Sequence, residues 1–232
     1  MAENKDGILG PLKGKIGPIV GSSWRGIPYI KTKPVRKKPA TEKELENRYI
    51  FAFTQKWLQP IREFLNLGFK NYSQKNYGVN AAKSFLYKYA LTKDGMNSKI
   101  DPSLMQVSYG DLPMPENIQM EWEKLDENVA ELRLTWDVPA RDHKSDFSMY
   151  DQAMVVVYDP RQETEAEGIL HGAFRNTGNE TLIFNYSAEN EYHVWIAFLS
   201  ADRERQSHSL YMGVITENGQ ENLVDESALE EA

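Results

Sequence analysis

The chain has 232 residues, with 41% apolar and 26% charged residues and a net charge of −7, which suits one large soluble domain or two small ones. It contains no cysteine, so disulfides, thiolate metal sites and a cysteine nucleophile are excluded. No run of about 18 apolar residues exists, so no membrane-spanning helix is expected. The start, MAENKDGILG, lacks the basic-then-apolar order of a signal peptide. The cytoplasm is therefore the expected location, with a virion or other particle as an alternative.

Residues 7–34 form a glycine- and proline-rich stretch without an acidic residue. Two strands are expected, at 15–22 and 27–33, joined by a turn over 23–26 in which Gly26 supplies a positive φ. Val20 and Ile16 then fall on one face and Ile19 on the other. The glycines are not a phosphate loop, because no Gly-Lys-Ser/Thr follows them. A two-stranded hairpin alone is marginal in water, so this one must pack on the following helices, on the rest of the chain or on a neighbouring molecule. The segment 31–40, KTKPVRKKPA, is a proline-stiffened basic linker with five positive charges between Lys31 and Lys38. It reads either as a polyanion contact or as a solvated connector.

Thr41-Glu42-Lys43-Glu44 is a capping box, and Leu45, Tyr49, Ala52, Phe53 and Trp57 follow at helical spacing. Pro60 should end or kink this helix, with 61–67 adding a further turn or two and Gly68 at the C-cap. A second helix is expected over 80–91, with Asn80 as its cap and Ala82, Phe85, Leu86 and Tyr89 facing inward. Beyond residue 101 the period changes to two. Strands are expected at 104–109, 118–122, 129–137, 152–158, 168–174, 181–186, 192–200 and 209–215, separated by turns rich in Asp, Asn, Gly or Pro. This gives an α+β chain: an N-terminal β-hairpin and helical segment followed by an antiparallel immunoglobulin- or fibronectin-like β-sandwich. The expected division is 1–100, 101–216 and an acidic flexible tail over 217–232.

The segment from Val129 resembles a fibronectin type III domain. Leu132 to Trp136 with Val138-Pro139 resemble its strand B, 153–158 its strand C, and 192–198 its strand F, with Tyr192 at the core tyrosine and Ser207 near the usual serine. The pattern Gly14-Lys15-Ile16-Gly17-Pro18-Ile19-Val20-Gly21, Trp24-Arg25-Gly26, a basic proline linker and a Thr-capped helix resembles an uncharacterised family of bacterial proteins, a domain of unknown function. Similar front patterns occur in short proteins of phages and mobile elements. The resemblance implies no activity.

Nothing in the sequence points to catalysis. The four histidines, His143, His171, His193 and His208, have no His-x-x-x-His or Glu-x-x-His pairing. No Gly-x-Ser-x-Gly elbow exists, and Asp142, Asp146, Asp151 and Asp159 lack an EF-hand pattern. No cofactor, metal or catalytic residue is expected. Charge is the stronger signal. Residues 1–100 hold nineteen lysines and arginines against seven acids, and residues 101–232 hold eight against twenty-seven. The first reading is a non-enzymatic structural or interaction protein, self-assembling or docking on a protein partner through the hairpin. Its interaction residues are Trp24, Arg25, Tyr29, Lys31, Lys33, Arg36, Lys37 and Lys38. The alternative is nucleic-acid binding by the basic front, with Lys13, Lys15, Arg25, Lys31, Lys33, Arg36, Lys37 and Lys38 contacting phosphates.

Overall fold

The computed structural model describes residues 3–4, 10–33, 35, 38–73, 77–138, 146–162, 165–217 and 219–221. The chain divides into two compact units, Met1–Leu45 and Glu46–Ala232. The helices expected to group with the hairpin in residues 1–100 fall almost wholly in the second unit.

The first unit is one antiparallel sheet in the order β1-β2-β3-β4, with β1 at Glu3–Asn4, β2 at Leu12–Ile16, β3 at Ile19–Trp24 and β4 at Ile27–Thr32. The single strand expected over 15–22 is two strands. Gly17, at φ 54°, opens a two-residue turn with Pro18, and glycine at the first central position is what a type II′ hairpin turn requires. The second turn is also tighter than expected. Arg25 and Gly26 both have positive φ, 50° and 81°, as in a type I′ turn, and Trp24 belongs to the strand.

Helix α1, Glu42–Leu58, starts on the expected capping box. Thr41 N donates to Glu44 Oε2 at 2.9 Å, and Glu44 N donates to Thr41 Oγ1 at 3.3 Å. Its buried face is rotated from the expected one: Ile50, Thr54, Trp57 and Leu58 are inside, while Leu45 and Tyr49 are exposed. Only the C-terminal half of the helix lies on a core. Thr54 is tolerated there because its hydroxyl donates to the Ile50 carbonyl at 2.9 Å. Pro60 ends α1, and α2 (Arg62–Gly68) and α3 (Val79–Tyr89) follow. Gly68 is not a left-handed cap. It is buried, and a Cβ there would overlap the Val107 carbonyl. Asn80 is not the cap of α3 either. Gly78 holds that position at φ 58°, and Asn66 Oδ1 accepts from Val79 N at 3.4 Å.

Two short strands, β5 (Leu91–Thr92) and β6 (Lys99–Ile100), pair after α3. The segment 104–109, expected as a strand, joins no ladder. Its polar groups are satisfied elsewhere: Val107 N donates to Ser209 Oγ, Ser108 Oγ to Ser207 O, and Tyr109 N to Gly68 O. Then come β7 (Gln119–Asp126), β8 (Val129–Thr135), β9 (Gln152–Tyr158), β10 (Glu167–Ile169), β11 (Asn179–Asn185), β12 (Tyr192–Leu199), β13 (Leu210–Thr216) and β14 (Gly219–Glu221). They form a five-stranded sheet, β10-β9-β12-β13-β14, and a three-stranded sheet, β11-β8-β7. The expected strand over 168–174 is laddered as far as Ile169, breaks, and meets the start of β9 again in an isolated bridge between Phe174 and Gln152. Strand β14 lies within the expected tail, and residues 222–232 of that tail are outside the described residues.

Strand β9 reads AMVVVY and β12 VWIAFL at their centres, and both are buried on two faces. Ala153, Val155, Val157, Val194, Ile196 and Phe198 join Leu132, Leu134 and Phe184 of the three-stranded sheet in one core. Met154, Val156, Tyr158, Trp195, Ala197 and Leu199 join Leu58, Leu65, Phe69 and Leu86 of the helices in another. A strand covered on both faces loses the polar alternation of a half-exposed one. The second unit is therefore three layers: helices, five-stranded sheet, three-stranded sheet.

Candidate interaction surface

Register sorts the side chains of the N-terminal sheet onto two faces, because directly paired residues in an antiparallel ladder point the same way. Trp24 pairs with Ile27, Ser22 with Tyr29, Val20 with Lys31, and Lys15 with Val20. These side chains share one face. Ile16 pairs with Ile19, Ile19 with Thr32, Gly21 with Ile30, and Ser23 with Pro28, so the other face is aliphatic and uncharged. The expectation that Ile16 lies with Val20, opposite Ile19, is reversed by the turn at Gly17.

Most of the large side chains on both faces are exposed, while Gly21 is buried with Leu12 lying over it on the aliphatic side. All six residues of β4 are exposed. On the aliphatic face Ile16, Ile19 and Ile30 are 55, 40 and 66% exposed, and on the aromatic face Trp24 is 63% exposed. The Arg25 guanidinium sits 5.0 Å from the Trp24 ring, and Lys31 Nζ 5.5 Å from the Tyr29 ring. The Ser22 hydroxyl and then the Lys31 charge draw the Tyr29 phenol below its ordinary range.

Of the expected interaction residues, Trp24, Arg25, Tyr29 and Lys31 come together on or beside this face. Lys33 follows β4, with its N–H on the Pro18 carbonyl at 2.8 Å, and Lys38 is exposed in the linker. Arg36 and Lys37 lie outside the described residues. Sequence reasoning missed the grouping of Ile16, Ile19 and Ile30. The signal that could have found it is the Gly17-Pro18 dipeptide.

The second unit offers acids and histidines in separate settings. Asp146 accepts two hydrogen bonds from Arg205, which hold its carboxyl below the ordinary range. Asp159 is buried and paired with Arg161 at 3.1 Å. Asp151 and Arg175 form a buried pair at 3.4 Å. His193 Nδ1 lies 2.7 Å from Tyr211 Oη; burial lowers the imidazole's pKa and raises the phenol's to about 12. His208 meets Gln106, and His171 is exposed. Asp142 and His143 fall outside the described residues. Among the described residues no three His, Asp or Glu side chains are placed to hold a metal ion, and no helix is long and apolar enough to cross a membrane.

Residues 11–213 match a family described as one of unknown function, DUF6266. The chain belongs to DUF6266. The DUF6266 match begins at the start of β2 and runs nearly to the end of β13. Strands β2 to β4 of the N-terminal sheet thus lie within the DUF6266 match, together with most of the three-layer unit. No curated protein and no solved structure matches the chain.

Proposed function

We propose that this protein is a non-enzymatic interaction module that self-associates through the aliphatic face of its N-terminal sheet. The exposure of Ile16, Ile19 and Ile30 on one uncharged face carries the reading. A small sheet gains stability in water when one face is covered by another layer. A second copy supplies such a layer with no charge in the contact and leaves Lys15 and Lys31 in solvent. The excess of lysine and arginine in residues 1–100 and of acids in residues 101–232 draws copies together at longer range.

The β region supports a scaffold role if read as a fibronectin type III-like sandwich. The three-stranded sheet then holds strands A, B and E, and β10, β9, β12 and β13 are C′, C, F and G. Tyr192 acts as the corner tyrosine in this reading, its Oη accepting from Ser187 N at 2.9 Å. Trp136 is the core tryptophan, 5% exposed. Such a module suits a repeating assembly, a virion included.

Light scattering on wild type and on Ile16→Lys and Ile30→Lys tests the association. The wild type is expected above monomer mass at tens of micromolar, and both variants at monomer mass with unchanged circular dichroism. A monomeric wild type, or association that survives both charges, refutes the reading.

A further inference from the structure

The opposite face of the same sheet carries a separate assignment. We infer that it binds single-stranded nucleic acid, with Trp24 and Tyr29 stacking on unpaired bases and Lys15, Lys31 and Arg25 meeting phosphates. Three cross-strand rows make the site. Lys15, Val20 and Lys31 form one, Ser22 and Tyr29 the next, and Trp24 with Ile27 the third, closed by Arg25 at the turn. Cations therefore stand at both ends of the face and the two rings between them. Diagonal neighbours on adjacent strands are about 7–8 Å apart, which places Trp24 and Tyr29 as two platforms along one track.

Charge favours a polyanion here. No Asp or Glu stands between Asp6 and Glu42, a stretch that holds eight lysines and arginines. The rings narrow the class further. An acidic protein surface, such as residues 101–232 of another copy, would satisfy the cations, but its exposed rings, such as Tyr150 and Phe174, are not alternated with anionic groups as bases are with phosphates. A duplex offers phosphates but keeps its base faces stacked. Unpaired bases present a π-face to every ring, so stacking of this kind tolerates any sequence. Arg25 over Trp24 and Lys31 over Tyr29 put each cation beside a ring, where a nucleotide presents base and phosphate together. The inference does not depend on self-association, which uses the other face.

The full chain can be titrated with an oligothymidylate of about 16 nucleotides, the upper end of a single-module site. Trp24 is 63% exposed, Trp57, Trp136 and Trp195 are buried and Trp122 is half-buried, so fluorescence quenching reports mainly Trp24. With labelled oligonucleotide, Trp24→Ala and Tyr29→Ala are each expected to weaken binding about tenfold. Lys15→Ala and Lys31→Ala should each lower the slope of log affinity against log salt by about 0.7. A duplex of the same length should bind more weakly and without quenching. Absence of binding at low salt overturns the inference. So does binding that is salt-dependent but indifferent to both ring substitutions, which would mark simple polyanion attraction. Unchanged circular dichroism in the ring variants separates lost binding from lost fold.

Discussion

Replacing Arg175 by methionine would remove the cation from a pair in which both side chains are 1% exposed. The guanidinium lies 4.8 Å from the rings of both Phe147 and Phe198, and its Nη2 donates to the Pro113 carbonyl at 2.7 Å. Methionine fills much of the volume but leaves Asp151 without its countercharge. Breaking a buried pair from one side costs about 3–5 kcal/mol. For a unit of this size each kcal/mol moves Tm by about 2–4 °C, so the expected loss is roughly 6–20 °C. The deficit should also depend on pH. Burial raises the Asp151 carboxyl's pKa, while the Ser148 N–H and Arg175 pull it down; removing Arg175 moves it higher still. A carboxyl whose folded pKa lies above its unfolded value contributes stability at low pH that is lost as pH rises through the folded value. The variant's deficit should therefore be greatest near neutral pH and shrink as pH falls toward the ordinary carboxylate value of about 4. Adding Asp151→Asn keeps an acceptor for Ser148 N and removes the stranded charge, so the double variant should be more stable than Arg175→Met alone. Thermal unfolding followed by circular dichroism at both pH values measures all of this. A single-variant loss below about 1 kcal/mol, a pH-independent deficit, or strict additivity in the double variant would refute the reasoning.

Two further substitutions probe other parts of the second unit. Tyr192→Phe removes the acceptor for Ser187 N and for Asn190 Nδ2, both at 2.9 Å, while the ring keeps its edge contact with Phe184 at 5.2 Å. Denaturant unfolding should show a loss of about 1–3 kcal/mol with an unchanged m-value, and no loss would remove the hydroxyl from the account of that corner. Gly68→Ala should destabilise by about 1–3 kcal/mol, because its Cβ would meet the Val107 carbonyl and the Ser108 backbone. Helix propensity alone predicts a gain of about 1 kcal/mol, so a rise in Tm would sink the packing argument.

The sequence carried the elements better than their surroundings. The capping box at Thr41 and the apolar runs in β9 and β12 were legible because their determinants are local. The buried face of α1 was not, since nothing local says that the core begins only at Ile50. The segment 104–109 has the composition of a strand, yet its partners are Gly68, Ser207 and Ser209, far away in sequence. At the candidate surface Trp24, Arg25, Tyr29 and Lys31 were legible from their types. Their separation from Ile16, Ile19 and Ile30 was not, because face assignment depends on register. One misplaced turn moves every side chain to the other side of a strand.

Strand β12 sends Val194, Ile196 and Phe198 into one core and Trp195, Ala197 and Leu199 into the other. It is common to both, so neither outer layer can melt and leave a native remainder. Loss of the helices would bare the Met154, Val156 and Trp195 stripe to water, and loss of the three-stranded sheet would bare Val155, Ile196 and Phe198. The helices, the five-stranded sheet and the three-stranded sheet thus form one cooperative block, whose slowest-exchanging amides should be those of β9 and β12.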